Sequence, residues 1–277
     1  MERLTDPSKL KAQVAYNTAA DHFDDVPLAF WARAGLRTVE DLALPVGGMI
    51  LDVGCGTGAS ALPAAVAVGP GGLVIGVDLA ERLLDRGREK ARRQSLSNVE
   101  FHQADMENLG YPGGHFDAVI SVFSVFFVPD MTKQVVELWR MVKPGGQLAI
   151  TTWGPRAFEP GAARFWSAVK EYAPPALHFG GFNPWDRVTT VEAVRDLFIS
   201  AGVANPEIKA EESRQPLRSA EDWWTIIIGS GFVWTVEQMD AETATHVRED
   251  NLRSLRADRA NSIETNAIYA HARKTST

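Results

Sequence analysis

ILDVGCGTGAS, residues 50–60, decides how the rest of the chain is read. An apolar run ends in an acid, and glycines then fall at alternate positions, Gly54, Gly56 and Gly58. Glycine loses more conformational freedom on folding than any other residue. Such a cluster therefore implies a backbone that side chains would obstruct. The run lies between a strand-like stretch and a helix-like one, where the chain turns sharply and a ligand can approach. The spacing G-x-G-x-G departs from the G-x-G-x-x-G of a dinucleotide turn. No lysine follows, which excludes a phosphate-cradling P-loop.

Outward from this turn, strands and helices alternate. MILDV (49–53) is a buried strand, and ASALPAAVAV (59–68) is a helix with Pro63 in its first turn or at a kink. LVIGVD (73–78), VEFHQAD (99–105), FDAVISVFS (116–124) and QLAITTW (147–153) read as strands. Residues 81–95 form a charged amphipathic helix, and MTKQVVELWRMV (131–142) a helix stopped by KPGG. This rhythm predicts an α/β fold, a doubly wound and mainly parallel sheet covered on both faces. After Trp153 the rhythm breaks. Residues 154–187 hold one short helix among loop signals, 189–202 a helix ended by Gly202, and 206–212 a possible strand. Residues 219–260 read as at least two helical pieces broken near Gly229 and Gly231, and 264–274 as a final strand. The chain, 1–277, is expected to be one domain. Its insertions at 155–187 and 215–260 are expected to form a helical lid.

With 45% hydrophobic residues the chain can bury a sizeable core, while a net charge of -7 disfavours nucleic acid as a partner. The basic residues between Arg82 and Arg93 alternate with Glu81, Asp85 and Glu89, as on a solvated helix face with ion pairs such as Glu89 with Arg93. A single cysteine, Cys55, allows no disulfide framework and no cysteine metal site, and points to a reducing cytoplasm. The first residues lack the apolar core of a signal peptide. No run reaches the length of a membrane span, so no integral membrane segment is expected.

Two acids extend the reading of the glycine turn. Asp78 ends the second strand, where a carboxylate can accept from both hydroxyls of a ribose and repels a 2′-phosphate. Leu79 beside it offers apolar surface to a flat base. Asp105 follows the third strand, placed to accept from an exocyclic amine, and Met106 can pack on the ring. Together they describe a pocket for adenosine that lacks equipment for a pyrophosphate.

LDVGCGTG, VIGVDLA, the acid at Asp105, FDAVISVFSVFFVPD and LWRMVKPGGQLAITTW resemble the successive motifs of class I S-adenosylmethionine-dependent methyltransferases over residues 46–155. YNTAADHFDD (16–25) is similar to the tyrosine-containing segment that closes over the cofactor in the branch holding ubiquinone, menaquinone and many natural-product methyltransferases. The resemblance implies a Rossmann-like, seven-stranded sheet with its last strand antiparallel, and a cofactor-binding core at 46–155. It implies that residues 1–30, with Tyr16, cover S-adenosylmethionine. Gly54, Gly56 and Gly58 would line its methionine part, with Cys55 a small filler in the loop and Asp52 an acidic contact toward the amino-acid end. Asp78, with Leu79, would meet the ribose and base, Asp105 and Met106 the adenine. Ser121, Val122 and Phe123 would lie beneath the sulfonium.

An activated methyl donor requires chiefly that a nucleophile be held in line in a dry pocket. A hydroxyl acceptor would gain from a base. His178, in the aromatic stretch EYAPPALHFGGFNPW, is the candidate for that role against the alternative of a solvated loop histidine; His22 is the second candidate. Trp166, Trp185, Trp223, Trp224 and Trp234, with Phe179, Phe182 and Phe232, can line a hydrophobic acceptor pocket or form the lid's own core. Trp223 and Trp224 should face opposite ways. The motifs of DNA amino methylation, DNA cytosine methylation and arsenic methylation are missing, which leaves a small, fairly hydrophobic organic acceptor. Quinone methylation at a membrane and NAD-dependent oxidoreduction on a related fold stand as alternatives. The residues do not specify the accepting atom or the oligomeric state.

Overall fold

The structure, a computed structural model, describes residues 7–176 and 184–276. Its strands are β1 Met49–Val53, β2 Leu73–Asp78, β3 Val99–Gln103, β4 Phe116–Val122, β5 Val142–Trp153, β6 Glu207–Glu211, β7 Arg214–Pro216, β8 Ser262–Glu264 and β9 Ala267–Arg273. Seven of them make one sheet in the order β3-β2-β1-β4-β5-β9-β6. The pairs β1 with β2, β1 with β4, β2 with β3 and β4 with β5 are parallel, and β9 runs antiparallel to both β5 and β6. This is the doubly wound α/β sheet that the alternating pattern predicts, with an antiparallel last strand. The separate β7–β8 ribbon was not foreseen; its two short strands sit outside the alternating rhythm.

Period-two alternation divides the central strands between two cores. Leu51, Val53, Val119 and Ile150 enter one cluster, whereas Ile50, Ala118, Ile120 and Ala149 enter the other. Both faces are thus covered, and each fully buried aliphatic side chain contributes about 1.5–3 kcal/mol. Helices α2 Phe30–Glu40, α3 Ala61–Val68 and α4 Glu81–Arg93 supply Val39, Ala65 and Leu84 to the second cluster. α5 Met131–Met141 and α7 Val191–Ser200 supply Leu138 and Phe198 to the first, together with α6 Gly161–Tyr172, α8 Ala220–Ile228, α9 Val233–Val236 and α10 Ala241–Ala257. Pro63 falls in the first turn of α3, where no backbone donor is lost. Asp130 caps α5 by accepting from the Lys133 amide at 2.9 Å.

Some local readings shift. KPGG does not terminate α5 ahead of a loop, because β5 already begins at Val142. The pairing jumps instead from Phe116–Val142 to Ala118–Gln147, so the Pro-Gly residues bulge, with Gly145 at φ +80°. Helix α1 Pro7–Ala19 runs into the start of the N-terminal segment 16–25, and Ala15, Ala19, Ala20 and Phe23 are buried. The basic face of α4 carries the expected Glu89–Arg93 pair but is not purely solvated. Arg82 and Arg86 grip Asp21 at 2.8 and 2.9 Å, and Lys90 meets Asp24 at 2.8 Å, so α4 is the dock for the N-terminal segment.

After β5 the chain builds a helical layer. α10 packs on α6 and α8. Trp223 is fully buried beside Gly161, where an added Cβ would come within 2.7 Å of the indole. Trp224 is only partly buried, so the two neighbours do face different ways. Among the described residues, no helix is long and apolar enough to cross a membrane.

Candidate active site

The glycine turn explains itself in backbone terms. Gly54, at φ +71°, leaves β1 with its amide donating to the Val77 carbonyl at 2.8 Å. A Cβ on Gly54 would lie 2.3 Å from that of Ser124, which in turn donates to the Val53 carbonyl at 2.7 Å. The ends of β1 and β4 therefore touch at a point only glycine permits. A Cβ on Gly58, at φ +86°, would come within 3.0 Å of Phe101 and Leu62, and this glycine does not line the cleft.

A cavity opens at the carboxyl ends of β1, β2 and β4. The turn residues Gly54, Cys55 and Gly56 form one side of it, Asp78 and Leu79 another. Met106, Val122 and Phe123 continue the wall, and Tyr16 of α1 closes it. These nine are sequence candidates that the fold brings together. Four others do not line this cavity. Asp52 is fully buried behind the turn, Gly58 faces the helix side, Ser121 is buried against Ser124, and Asp105 is turned toward α1. Asp105 pairs with Lys9 at 2.6 Å, and Glu107 shares that lysine at 2.6 Å. His178 lies outside the described residues. His22 bonds Asp25 at 2.9 Å at the surface and does not line this cavity.

The sequence reading passed over Phe23, Trp31, Ser124 and Phe127, which also line the cavity. Phe23 stands inside YNTAADHFDD and could have been singled out there. Trp31 stacks on Phe23 with centroids 5.2 Å apart, a tertiary contact that no local pattern announces. Phe123 adopts φ +52°, rare for a bulky residue, and its ring stacks on Trp153 at 3.8 Å. Such an outlier persists only where the surroundings over-determine it, and it lies here at the mouth of β4.

The electrostatics are simple. Among the described residues that line this cavity, Asp78 alone is charged. Its carboxylate accepts from the amides of Gly56 and Ala80, each at 2.9 Å, yet burial outweighs these donors and raises its pKa. Asp52 is pushed up to about 7, chiefly by burial and secondarily by the Asp78 charge, against the Ser60 hydroxyl that donates to it at 2.6 Å. Its other oxygen is buried without a partner. Burial and the neighbouring acids raise the Cys55 thiol well above the ordinary range, so it is no nucleophile. Burial, then Asp78, raises the Tyr16 phenol likewise. A lone carboxylate among apolar and aromatic walls fits a cationic adenosine derivative. No lysine or arginine lines the cavity among the described residues.

A second cavity, about 350 Å³, adjoins the first. Trp166 of α6, Trp185, Phe232 and Trp234 line it, and it shares Tyr16 and Phe127 with the first. Those two rings meet edge to face at 5.6 Å and stand between the cavities. Trp223 and Trp224 do not line it: they belong to the packing of the helical layer, because α8 turns its apolar face inward.

Comparison with known proteins agrees with this architecture. A family described as a methyltransferase domain matches residues 50–146. Aklanonic acid methyltransferase DauC of Streptomyces sp. (strain C5) is 34% identical over 148 residues, covering 52% of this chain and 67% of that one. Nocamycin O-methyltransferase of Saccharothrix syringae is 29% identical over 262 residues, 89% of this chain and 91% of that one. Among solved structures, the YcgJ protein of Bacillus subtilis shares the fold with a TM-score of 0.59 at 18% identity, over 88% of this chain and 99% of that one. The chain belongs to the class I S-adenosylmethionine-dependent methyltransferases, and its cofactor is S-adenosylmethionine.

Proposed function

We propose that this methyltransferase acts on a small, largely hydrophobic organic acceptor. The acceptor would sit in the second cavity, with the cofactor in the first, on either side of the Tyr16–Phe127 wall. The adjacency of these two cavities carries the reading. When bound, S-adenosylmethionine supplies an activated methyl group on a sulfonium. Asp78 would accept from the ribose hydroxyls, using lone pairs that the Gly56 and Ala80 amides leave open. Leu79 and Met106 would flank the base, and the turn at Gly54, Cys55 and Gly56 would follow the methionine part. Asp52, behind the turn, would act through Ser60, whose hydroxyl it holds and which lines the cavity. Asp105 would position α1 through Lys9 and not touch the adenine directly. Val122 and Phe123 would floor the transfer site, with Ser121 supporting them from beneath.

The helical layer of α6, α8, α9 and α10 would exclude water and orient the acceptor for in-line displacement. Positioning would carry catalysis; no histidine or carboxylate lines the second cavity among the described residues, and His178, the candidate base, lies outside them. Relatives named for aklanonic acid and nocamycin support an organic acceptor. The test is transfer of a labelled methyl group to a panel of aromatic and aliphatic hydroxy and carboxylic compounds, beside protein, nucleic acid and small hydrophilic amines. Label appearing only in the last three classes would refute the reading.

A further inference from the structure

Tyr16, Phe23, Trp31, Phe123 and Phe127 all line the first cavity, and their rings touch in succession. Phe127 meets Tyr16 at 5.6 Å and 85°, and Tyr16 meets Phe23 at 6.2 Å and 73°. Phe23 stacks on Trp31 at 5.2 Å, and Trp31 meets Phe123 at 5.6 Å and 67°. Phe123 and Phe127 share the short segment after β4, which closes the arc into a collar. Most of its walls stand steeply to one another, as in a box. Trp31 adds a second sign. Its indole nitrogen is buried with no hydrogen-bond partner among the described residues. A phenylalanine or leucine would fill that space without the loss; tryptophan adds the aromatic face that best attracts a cation. The place of the collar is set from both ends. Gly56, whose amide holds Asp78 at 2.9 Å, would bring a Cβ within 3.6 Å of the Phe23 ring. At the other end, Tyr16 and Phe127 are also walls of the second cavity.

Resting on the functional reading above, we propose that this collar holds the sulfonium charge on ring faces in place of a carboxylate, and so discriminates the cationic methyl donor from its neutral demethylated product. A cofactor with its ribose on Asp78 and its methyl group turned to the second cavity would carry its sulfonium, a single methylene from the ribose, between those two ends. Aromatic faces attract a cation through their quadrupoles, more strongly where water is excluded. A carboxylate at that point would itself be a nucleophile beside an activated methyl group, and a ring is not. As the methyl carbon bonds to the acceptor, the electron pair of the carbon–sulfur bond goes to sulfur, which becomes a neutral thioether. The attraction to the collar then ends, so the rings favour loaded over spent cofactor.

The test is calorimetry on the full chain with S-adenosylmethionine and with S-adenosylhomocysteine. The parent is compared with proteins in which Phe127 is replaced by trifluorinated phenylalanine, Trp31 by tetrafluorinated tryptophan, or both. Fluorine withdraws charge from the ring face and changes the shape of the ring little. The ratio of the two dissociation constants reads the collar. With both rings fluorinated, the preference for S-adenosylmethionine is expected to fall about tenfold, while S-adenosylhomocysteine stays within about twofold of its parent affinity. A preference unchanged in the doubly fluorinated protein overturns the inference. So does an equal loss for the two ligands, which is what disturbed packing would give. Asp78→Ala separates the collar from the placement of the cofactor. If it weakens both ligands while fluorination leaves the preference unchanged, the cofactor occupies this cavity and only the collar inference fails. If neither Asp78→Ala nor fluorination affects either ligand, the placement of the cofactor fails as well.

Discussion

The two cavities are built in different ways. Most of the first comes from strand ends and turns between residues 54 and 127, each within a short motif, with Tyr16, Phe23 and Trp31 added from the N-terminal segment. The second draws on α1, the segment after β4, α6, the turn at Pro184–Val188 and the region of α9, pieces spread along the chain from Lys11 to Thr235. Backbone geometry dictates the first: strand, positive-φ glycine, acid at the next strand end. Side-chain packing alone dictates the second. A binding site of the first kind tolerates little change, because each element also holds the sheet together. A site of the second kind can be re-lined without touching the sheet.

That contrast can be broken. Gly54→Val should have the largest effect, since its Cβ would overlap Ser124 at 2.3 Å in a backbone that disfavours side chains. A loss of about 4 kcal/mol or more in unfolding free energy is expected, with cofactor binding abolished. Denaturant melts check it, and a stable Gly54→Val protein that binds S-adenosylhomocysteine would mean the two strand ends need not touch.

Next in size is Asp78→Ala, expected to weaken S-adenosylhomocysteine by about 2–4 kcal/mol in calorimetry. Unchanged affinity would remove Asp78 from the ribose.

Asp52→Asn sharpens the comparison through pH. The carboxyl ionises at an ordinary value of 3.8 in the unfolded chain and at about 7 in the fold. The native state therefore holds the extra proton in this window. Its contribution is complete below pH 3.8 and is lost as pH rises toward about 7. The stability of Asp52→Asn relative to the parent should accordingly climb between those values. The climb is a few kcal/mol at most, since each tenfold difference in proton affinity between fold and unfolded chain is worth roughly 1.4 kcal/mol. Parallel stability profiles for the two proteins would show that Asp52 ionises normally.

The smallest effect belongs to the second cavity. Trp234→Ala should raise the acceptor KM about tenfold while leaving S-adenosylhomocysteine affinity within a factor of two, a difference of roughly 1–2 kcal/mol. The reverse pattern would assign the indole to the core.

This division also explains what the sequence could and could not disclose. The sheet, its central strands and the turn were legible because period-two patterning and glycine spacing are local signals. Asp78 was legible for the same reason. The pairing of Asp105 with Lys9 was not legible, since nothing local reveals that a lysine so much earlier in the chain would meet its carboxylate. The basic stripe of α4 read as solvent-facing because its partners, Asp21 and Asp24, lie some sixty residues upstream. The tryptophan cluster was visible as composition. Which indoles line a cavity and which fill a core depends on the crossing of α6, α8 and α10, which composition does not encode. Trp185 and Trp234 went one way and Trp223 the other.

Tyr16 belongs to both walls, and it rides on a helix tied to the loops after β2 and β3 and to α4 by Gln13, Lys9 and Asn17. A helix in that position makes the traffic of the two compartments interdependent. Lifting it to exchange spent cofactor would also unroof the neighbouring compartment, so methylated product retained there would be released in the same event. Steady-state turnover should then follow a compulsory order in which cofactor enters first. Product inhibition by S-adenosylhomocysteine should be competitive with cofactor and non-competitive with acceptor, and that pattern should become random once the Lys9 and Asn17 tethers are cut.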